Sequence, residues 1–535
     1  MPFHNRPGPP AAAGDVRTML ELGLGLQRQG RLDEAARVYS AVLERDAANA
    51  DASHLLGMVA LGQGRADEAI QLIGRALAVT PDAAPMYANR ARALSQAQRH
   101  AEAVADCDRA LRRDPGLVDA HLIRGEALMR LQRLDEALAS YDAAAGSRPA
   151  AASRGAGNVL YAMGCFEDAL AAYDKATALE PGNALGHFNR GNTLRVLKQF
   201  EAAIAAYEAA IAQAPGFAVA HHNRALCLLH LGRLAEGFEA YEWRLRCPTF
   251  DDPRYRLPNP WTGAEPLAGR TLFVFPEMFQ GDLIQFCRYA RTAERQGARV
   301  ILGAPRAMHR LLQTLSPGIE LVAEDETPER YDLQCALMSL PHAFGATLET
   351  LPGEVSYLRP EPERVARWKS RIGEHGLKVG IVWQGSTLPY SIPLQRSFPL
   401  AAAHALADVP GVRLISLQKF NGLDQLATLP PGMRVETLGD DFDPGPDAFV
   451  DTAAAMACCD LVVTVDTSVA HLAGALGVRG WVVLPYVADW RWLSDRPDCP
   501  WYPSLQLFRQ AARGEWSHVF ADMAQALRAE AARRS

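Results

Sequence analysis

No apolar run in this chain reaches the roughly 20 residues that a bilayer-spanning helix requires. The first fourteen residues, MPFHNRPGPPAAAG, lack the apolar centre of a secretory signal and read as a disordered tail. No Cys-x-x-Cys pair occurs among the nine cysteines, and an odd, scattered set argues against a disulfide framework or a zinc site. A net charge of −6 leaves out the basic stripe of a nucleic-acid binder. No Gly-x-Gly-x-x-Gly follows a strand-like run, no P-loop is present, and no Ser or Cys stands in a nucleophile elbow. These absences weigh against membrane-spanning proteins, disulfide scaffolds, dinucleotide oxidoreductases, nucleotide triphosphatases and serine or cysteine hydrolases. A reduced, cytoplasmic setting is the expectation. At 535 residues the chain is too long for one core, so two or three domains are expected.

What the chain does have is a period. Ala35, Ala69, Ala103 and Ala137 stand 34 apart, and Ala169 and Ala203 continue the column after one step of 32. Four residues on lies a second column, Tyr39, Ile73, Cys107, Tyr141, Tyr173, Tyr207, followed by Tyr241. Gly23, Gly57, Gly125, Gly157 and Gly191 hold an earlier column, with Ala91 and Ala225 substituting, and Pro81, Pro115, Pro149, Pro181 and Pro215 close most units. Each unit reads as a helix, a short turn, a second helix and a terminating proline. The small residues are expected to let the two helices of a unit approach, with the aromatic filling the gap to the next unit. The pattern resembles the tetratricopeptide repeat, about seven units over residues 15–247. Such helix pairs stack into a superhelix with a concave groove. Two residues before the glycine column stand Asn89, Asn189 and Asn223, each followed by Arg. In tetratricopeptide superhelices this column faces the groove, where an Asn amide can pair with the backbone of an extended peptide. A peptide or protein partner is the expectation; a solvated face is the alternative.

Residues 248–268 contain five prolines and Trp261 and read as a stiff linker. Beyond 269, short apolar runs alternate with helical stretches, which implies parallel sheets in doubly wound layers. A break at Arg359-Pro360 divides them into lobes at 269–360 and 361–535. The predicted class is an all-α superhelix followed by a two-lobed Rossmann-like α/β half, with ligands at the carboxyl ends of its strands. In the first lobe, Asp282 follows a strand and opens a helix; it is a general base or an N-cap, with Glu277 a weaker rival as base. In the second, Gln384, Gly385 and Ser386 end a strand, and a Pro/Ser-rich loop leads to Arg396. Small hydroxyl residues followed by an arginine suit a diphosphate, and Lys419 is a second cation candidate. The acidic run GDDFD at 439–443 suggests a metal but reads as a loop. Residues 459–476, CDLVVTVDTSVAHLAGAL, read as a strand, a polar corner of Asp466, Thr467 and Ser468, and a helix carrying His471. The corner is a phosphate site at a helix N-terminus, or else ordinary capping and packing. Trp490 to Trp492 and Trp501-Tyr502 wall a nucleotide or brace the last helix, with bracing preferred.

The run from Asp460 onward, continued by WVVLPYVADWRWLSDRPDCPWYPSLQLFRQ, resembles the bacterial tetratricopeptide-repeat glycosyltransferases. Their catalytic half is similar to the family 9 glycosyltransferases, which include the heptosyltransferases. The resemblance covers about 269–530. It implies the GT-B fold, with 269–360 on the acceptor side and 361–535 on the nucleotide-sugar donor side. It implies a nucleotide-diphosphate sugar as donor, no cofactor and no essential metal. The family's catalytic Asp is matched by Asp282 after Gly281, and its diphosphate motif by Asp466, Thr467, His471 and Leu472. Ser468 replaces the motif glycine, Phe279 and Gln280 replace small residues, and Arg396 stands near the family's donor-binding lysine. These departures leave the donor sugar open. The expected function is metal-independent, inverting sugar transfer to an acceptor hydroxyl, with the repeats recruiting a protein. Two alternatives remain: a non-catalytic adaptor with a degenerate nucleotide-binding scaffold, and a glycan-acceptor enzyme whose repeats serve assembly.

Overall fold

The spacing of small and aromatic residues translates directly into helix pairs. A computed structural model describes residues 16–534 apart from 251, 278 and 387–395, with side chains described up to residue 532. The tail and most of the loop before Arg396 lie outside the described residues. The chain divides into two units, one ending at Leu197 and one beginning at Lys198.

In the first unit, paired helices run from Val16–Arg28 and Leu32–Arg45 through to Phe166–Leu179, and Ala184–Val196 opens the next pair. The columns explain the pairing. A Cβ on Gly23 would run into the Tyr39 ring; on Gly57 it would lie 2.7 Å from Ile73, and on Gly157 2.7 Å from the Tyr173 ring. The ring therefore packs first on the glycine of its own unit, and not mainly across to the next as the pattern suggested. Tyr141 does both: its ring lies 2.8 Å from the Cβ position of Gly125 and fills that of Gly155. A side chain at Gly155 must displace a packed aromatic. Gly155→Ala is expected to destabilise the protein by about 1–3 kcal/mol, read as a lower urea midpoint. The Arg that follows each Asn serves the stack: Arg90 binds Asp106 at 2.5 and 2.8 Å, and Arg190 binds Asp174 at 2.5 Å.

The second unit is built on two parallel sheets. β1 (Thr271–Phe275), β2 (Arg299–Ala304), β3 (Glu320–Ala323) and β4 (Leu333–Ala336) lie in the order β3-β2-β1-β4. β5 (Leu377–Val382), β6 (Val412–Ser416), β7 (Val435–Glu436), β8 (Leu461–Val465), β9 (Gly480–Leu484) and β10 (Leu505–Arg509) lie in the order β10-β9-β8-β5-β6-β7. Every neighbouring pair is parallel. The expected α/β class with parallel sheets is observed. Counted outward from β5, the second sheet has the doubly wound order 3-2-1-4-5-6. Its direction reverses between β5 and β8, the switch point at whose carboxyl ends such sheets form a ligand crevice. The first sheet reverses in the same way between β1 and β4.

Two further features position the site. The linker is not a free connector: Trp261 donates its backbone N–H to the Gln334 carbonyl at 2.7 Å, and the Gln334 N–H donates to the Asn259 carbonyl at 3.0 Å. This seats residues 259–261 along the free edge of β4. The last repeat helices, Ala218–His230 and Leu234–Tyr241, bury Leu229, Leu234, Phe238 and Tyr241 in the same core as Phe286, Trp490 and Trp501. A terminal repeat has no following unit to cover its apolar face. Here Trp490 and Trp501 supply the cover, with Phe238 edge-on to both at 5.6 and 6.4 Å. The unit boundary therefore falls at residue 198, well before the expected linker. These tryptophans brace the final repeat and not the C-terminal helix, Ser517–Arg534, whose Val519, Phe520, Met523 and Leu527 pack in a separate core with Phe398 and Leu406. Among the described residues, no helix is long and apolar enough to cross a membrane.

Candidate active site

Two helices begin at the crevice. The helix Gln280–Arg295 follows β1, and Ser468–Ala475 follows β8. The first has Phe279 at its N-cap with no side-chain cap, so Asp282, third in the helix, is not the N-cap. The second is capped by Thr467, whose hydroxyl accepts the Val469 N–H at 3.3 Å. The two starts touch: a Cβ on Gly281 would lie 3.1 Å from His471 Cδ2 and 3.5 Å from Ser468 Oγ. A side chain at Gly281 would require the His471 ring to give way by a few tenths of an ångström. Uncapped N–H groups and two helix dipoles are thereby concentrated at one spot, an environment suited to an anion.

The switch point supplies the other wall. Gly385 lies against Thr467, its Cβ position 3.1 Å from Thr467 Cγ2, and its N–H donates to Ser397 Oγ at 3.1 Å. Gln384 is clamped by Gln418, which accepts its backbone N–H and donates to its carbonyl, and Gln384 Oε1 accepts from Gln425 at 3.0 Å. Gln384 therefore shapes the loop. Ser386 is exposed at its end. Arg396 Nη1 stands 4.0 Å from Asp466 Oδ2 with its side chain 26% exposed, so it borders the crevice. Asp466 is buried, and among the described residues its Oδ2 has no hydrogen-bond partner. Burial pushes its carboxyl up to about 6, Asp489 adding to this and Arg396 opposing it. Lys419 is committed to the Phe442 carbonyl, so the structure does not bring it to this group.

His471 is buried, its Nδ1 3.1 Å from the Tyr502 hydroxyl and its ring stacked on Trp492 at 5.3 Å. Burial, with the Arg491 charge second, pushes its pKa down to about 3. It is a neutral imidazole here and contributes hydrogen bonding and packing, not charge.

Asp282 is separated from its rival. Glu277 accepts from Arg244 twice at 3.0 Å, from the Tyr255 hydroxyl at 2.9 Å and from the Met338 N–H at 2.7 Å. Its oxygens are fully engaged, which removes it as a candidate base. Among the described residues, Asp282 accepts one such contact, from Arg491 Nη2 at 2.7 Å, and its side chain is 14% exposed. Burial raises its pKa, and the Arg491 guanidinium is the main opposing influence. Arg491 was not singled out in the sequence. The available signal was a cation between two tryptophans just beyond β9, at the carboxyl end of a central strand.

Other candidates are structural. Asp441 pairs with Arg367 and Arg371, and Asp443 accepts the Asp451 and Thr452 N–H groups at the start of Val450–Met456, so GDDFD is a capping loop. Among the described residues, no three His, Cys, Asp or Glu side chains gather in a way that could hold a metal ion. In the repeats, Asn89 Nδ2 lies 2.9 Å from His54 Nε2, and Asn189 Nδ2 donates to Asn158 Oδ1 at 2.9 Å. These bonds stitch neighbouring units together and use part of each amide. Asn223 is half-buried in the second unit.

The tetratricopeptide repeat family matches residues 20–88, 54–118, 88–152, 154–218 and 197–243. Over 320 residues the chain is 28% identical to Protein FlbA of Caulobacter vibrioides, covering 55% of this chain and 52% of FlbA. The chain thus spans about half the length of that curated relative. Among solved structures, a thermophilic tetratricopeptide-repeat protein of Thermus thermophilus is 23% identical, covering 34% of this chain and 99% of its own, with a TM-score of 0.30. Pseudomonas aeruginosa PilF is 20% identical, covering 38% and 92%, with a TM-score of 0.34. The N-terminal region of the chain is built of tetratricopeptide repeats.

Proposed function

We propose that residues 269–535 form a glycosyltransferase of the GT-B type, which moves a sugar from a nucleotide-diphosphate sugar to an acceptor hydroxyl. The observation that carries this reading is the contact of Gly281 with Ser468 and His471, which joins Asp282 and an anion-suited helix start in one crevice. In the proposed reaction, Asp282 takes the proton of the acceptor hydroxyl as it attacks the anomeric carbon, with inversion. The start of helix Ser468–Ala475, with Thr467 and Arg396, stabilises the negative charge that grows on the departing diphosphate. His471 assists as a neutral group. The repeats present a protein acceptor, supported by the unengaged N–H and carbonyl of the Asn89 and Asn189 amides among the described residues. A second reading, a non-catalytic adaptor, draws on the Asp282–Arg491 pair, since a carboxylate held by a guanidinium is a weaker base.

Titration calorimetry with a panel of UDP-, GDP- and ADP-sugars tests the proposal. One nucleotide class is expected to bind, with affinity falling about tenfold or more in Arg396→Ala, the size of a lost charge-assisted contact. Failure of every member to bind or be hydrolysed would leave the adaptor reading standing.

A further inference from the structure

Asp282 belongs to the first lobe, yet the group that holds it comes from the second. Arg491 lies in the short turn Trp490–Trp492 beyond β9. Its backbone N–H and Nη1 donate to the Asp489 carboxylate at 3.0 and 2.8 Å. Its guanidinium lies 4.4 Å from the Trp490 ring centroid and 5.7 Å from that of Phe286. Anchored at these points, it has one orientation, and in that orientation Nη2 meets Asp282 Oδ1 at 2.7 Å. The side chain is only 10% exposed, so the contact is poorly screened. The cation spends Nη1 on its own carboxylate and Nη2 on the opposite lobe, while its buried Nε has no hydrogen-bond partner among the described residues.

Resting on the reading of Asp282 as the base, we propose that Arg491 is a positioning residue, which aims the Asp282 carboxylate into the crevice and keeps it ionised. One guanidinium serves two carboxylates, and they respond differently. Asp489 is held below the ordinary carboxylate value, with Arg491 the main lowering influence against burial, whereas Asp282 is pushed up by burial. Of these two, Asp282 is the more readily protonated as pH falls; the Asp466 carboxyl, pushed up to about 6 by burial, titrates nearby. The other charged or titratable groups that face Asp282 are Glu277 beyond β1, Arg396 beyond β5 and Tyr241 of the last repeat helix. Glu277 raises its pKa, as Asp489 does, and Arg396 lowers it less than Arg491. Without Arg491 the carboxyl loses its main lowering influence and its pKa rises further, towards a form that cannot accept a proton from a hydroxyl.

The test compares wild type, Arg491→Lys and Arg491→Gln in the full chain, using whichever sugar nucleotide the panel identifies. Turnover is expected to fall about 10²-fold in Arg491→Gln, with donor KM and nucleotide affinity nearly unchanged. The acid limb of its pH–rate profile should move up by about one pH unit or more, and Arg491→Lys should restore part of both. A wild-type chain that turns over no sugar nucleotide overturns the reading of Asp282 on which this rests. Turnover with an acid limb that stays in place in Arg491→Gln overturns the role of Arg491 alone, as does a loss of nucleotide affinity equal to the loss of turnover. A thermal-unfolding cycle of Asp282→Asn with Arg491→Gln guards against misfolding. The double variant should lose less than the sum of the singles, and additive losses count against the pairing.

Discussion

Asp282→Asn is expected to reduce sugar transfer by about 10²- to 10⁴-fold while nucleotide-diphosphate affinity stays nearly the same. The amide keeps the shape of the carboxylate and an oxygen that can still accept from Arg491 Nη2, but it cannot take a proton at neutral pH. The anion-suited wall, made by Thr467, Ser468 and Arg396, is left in place. Initial rates with saturating donor, beside calorimetric affinity for the nucleotide diphosphate, separate the two effects. Unchanged turnover would remove Asp282 from the reaction. The wild-type pH profile carries the same sign. Burial raises the pKa of Asp282, so the active, ionised form is present above that value and is lost as pH falls through it. The acid limb should therefore lie above the ordinary range for an exposed aspartate. Stability runs the other way: a carboxyl with a raised pKa in the fold weakens the fold at higher pH, so Asp282→Asn is not expected to lower the melting temperature much.

The second large effect is on folding. Arg244 is fully buried in the turn Glu242–Arg246 that follows the last repeat helix. It donates to both oxygens of Glu277, which is 3% exposed, to Glu242 at 2.7 Å and to Ser339 Oγ at 2.8 Å. One guanidinium thus ties the end of the repeats to the loops beyond β1 and β4. Arg244→Met would leave Glu277 buried without its cation, and breaking such a pair costs about 3–5 kcal/mol. A urea titration of the full chain should show the unfolding midpoint of the C-terminal unit falling accordingly. Arg244→Met combined with Glu277→Met should recover part of the loss, because the stranded charge is gone. A single-variant loss of less than about 1 kcal/mol would mean that solvent reaches the pair.

Glu277 illustrates how residues of one type part company in the fold. In the sequence, Glu277 and Asp282 are two acids in one loop after one strand, both eligible as a base. The fold gives Glu277 four donor contacts and leaves Asp282 facing the crevice with one guanidinium. Neither outcome depends on a local property of the loop. His471 is similar: its place in the motif implied a part in binding the diphosphate or else ordinary packing, and the Trp492 ring and Tyr502 hydroxyl, brought in by packing, make it a neutral, buried group.

The repeat was legible because it is local. A glycine and the aromatic that packs on it are sixteen residues apart in the same helix pair, so periodicity alone records the contact, as Gly23 with Tyr39 and Gly157 with Tyr173 demonstrate. The alternation of strands and helices after residue 269 is also local, and from it follow parallel sheets and a crevice at their carboxyl ends. The start of Ser468–Ala475 was readable for the same reason: a strand, hydroxyl residues and a small-residue helix are contiguous. The tertiary structure alone decided which distant pieces meet. It set the helix start of Gly281 against Ser468, hid Leu229 and Phe238 of the last repeat under Trp490 and Trp501, and paired Asp282 with Arg491, 209 residues away in sequence. Residue spacing encodes neighbours along a helix or strand, but contacts across hundreds of residues are selected by sheet order, lobe packing and the burial of faces that no local pattern specifies.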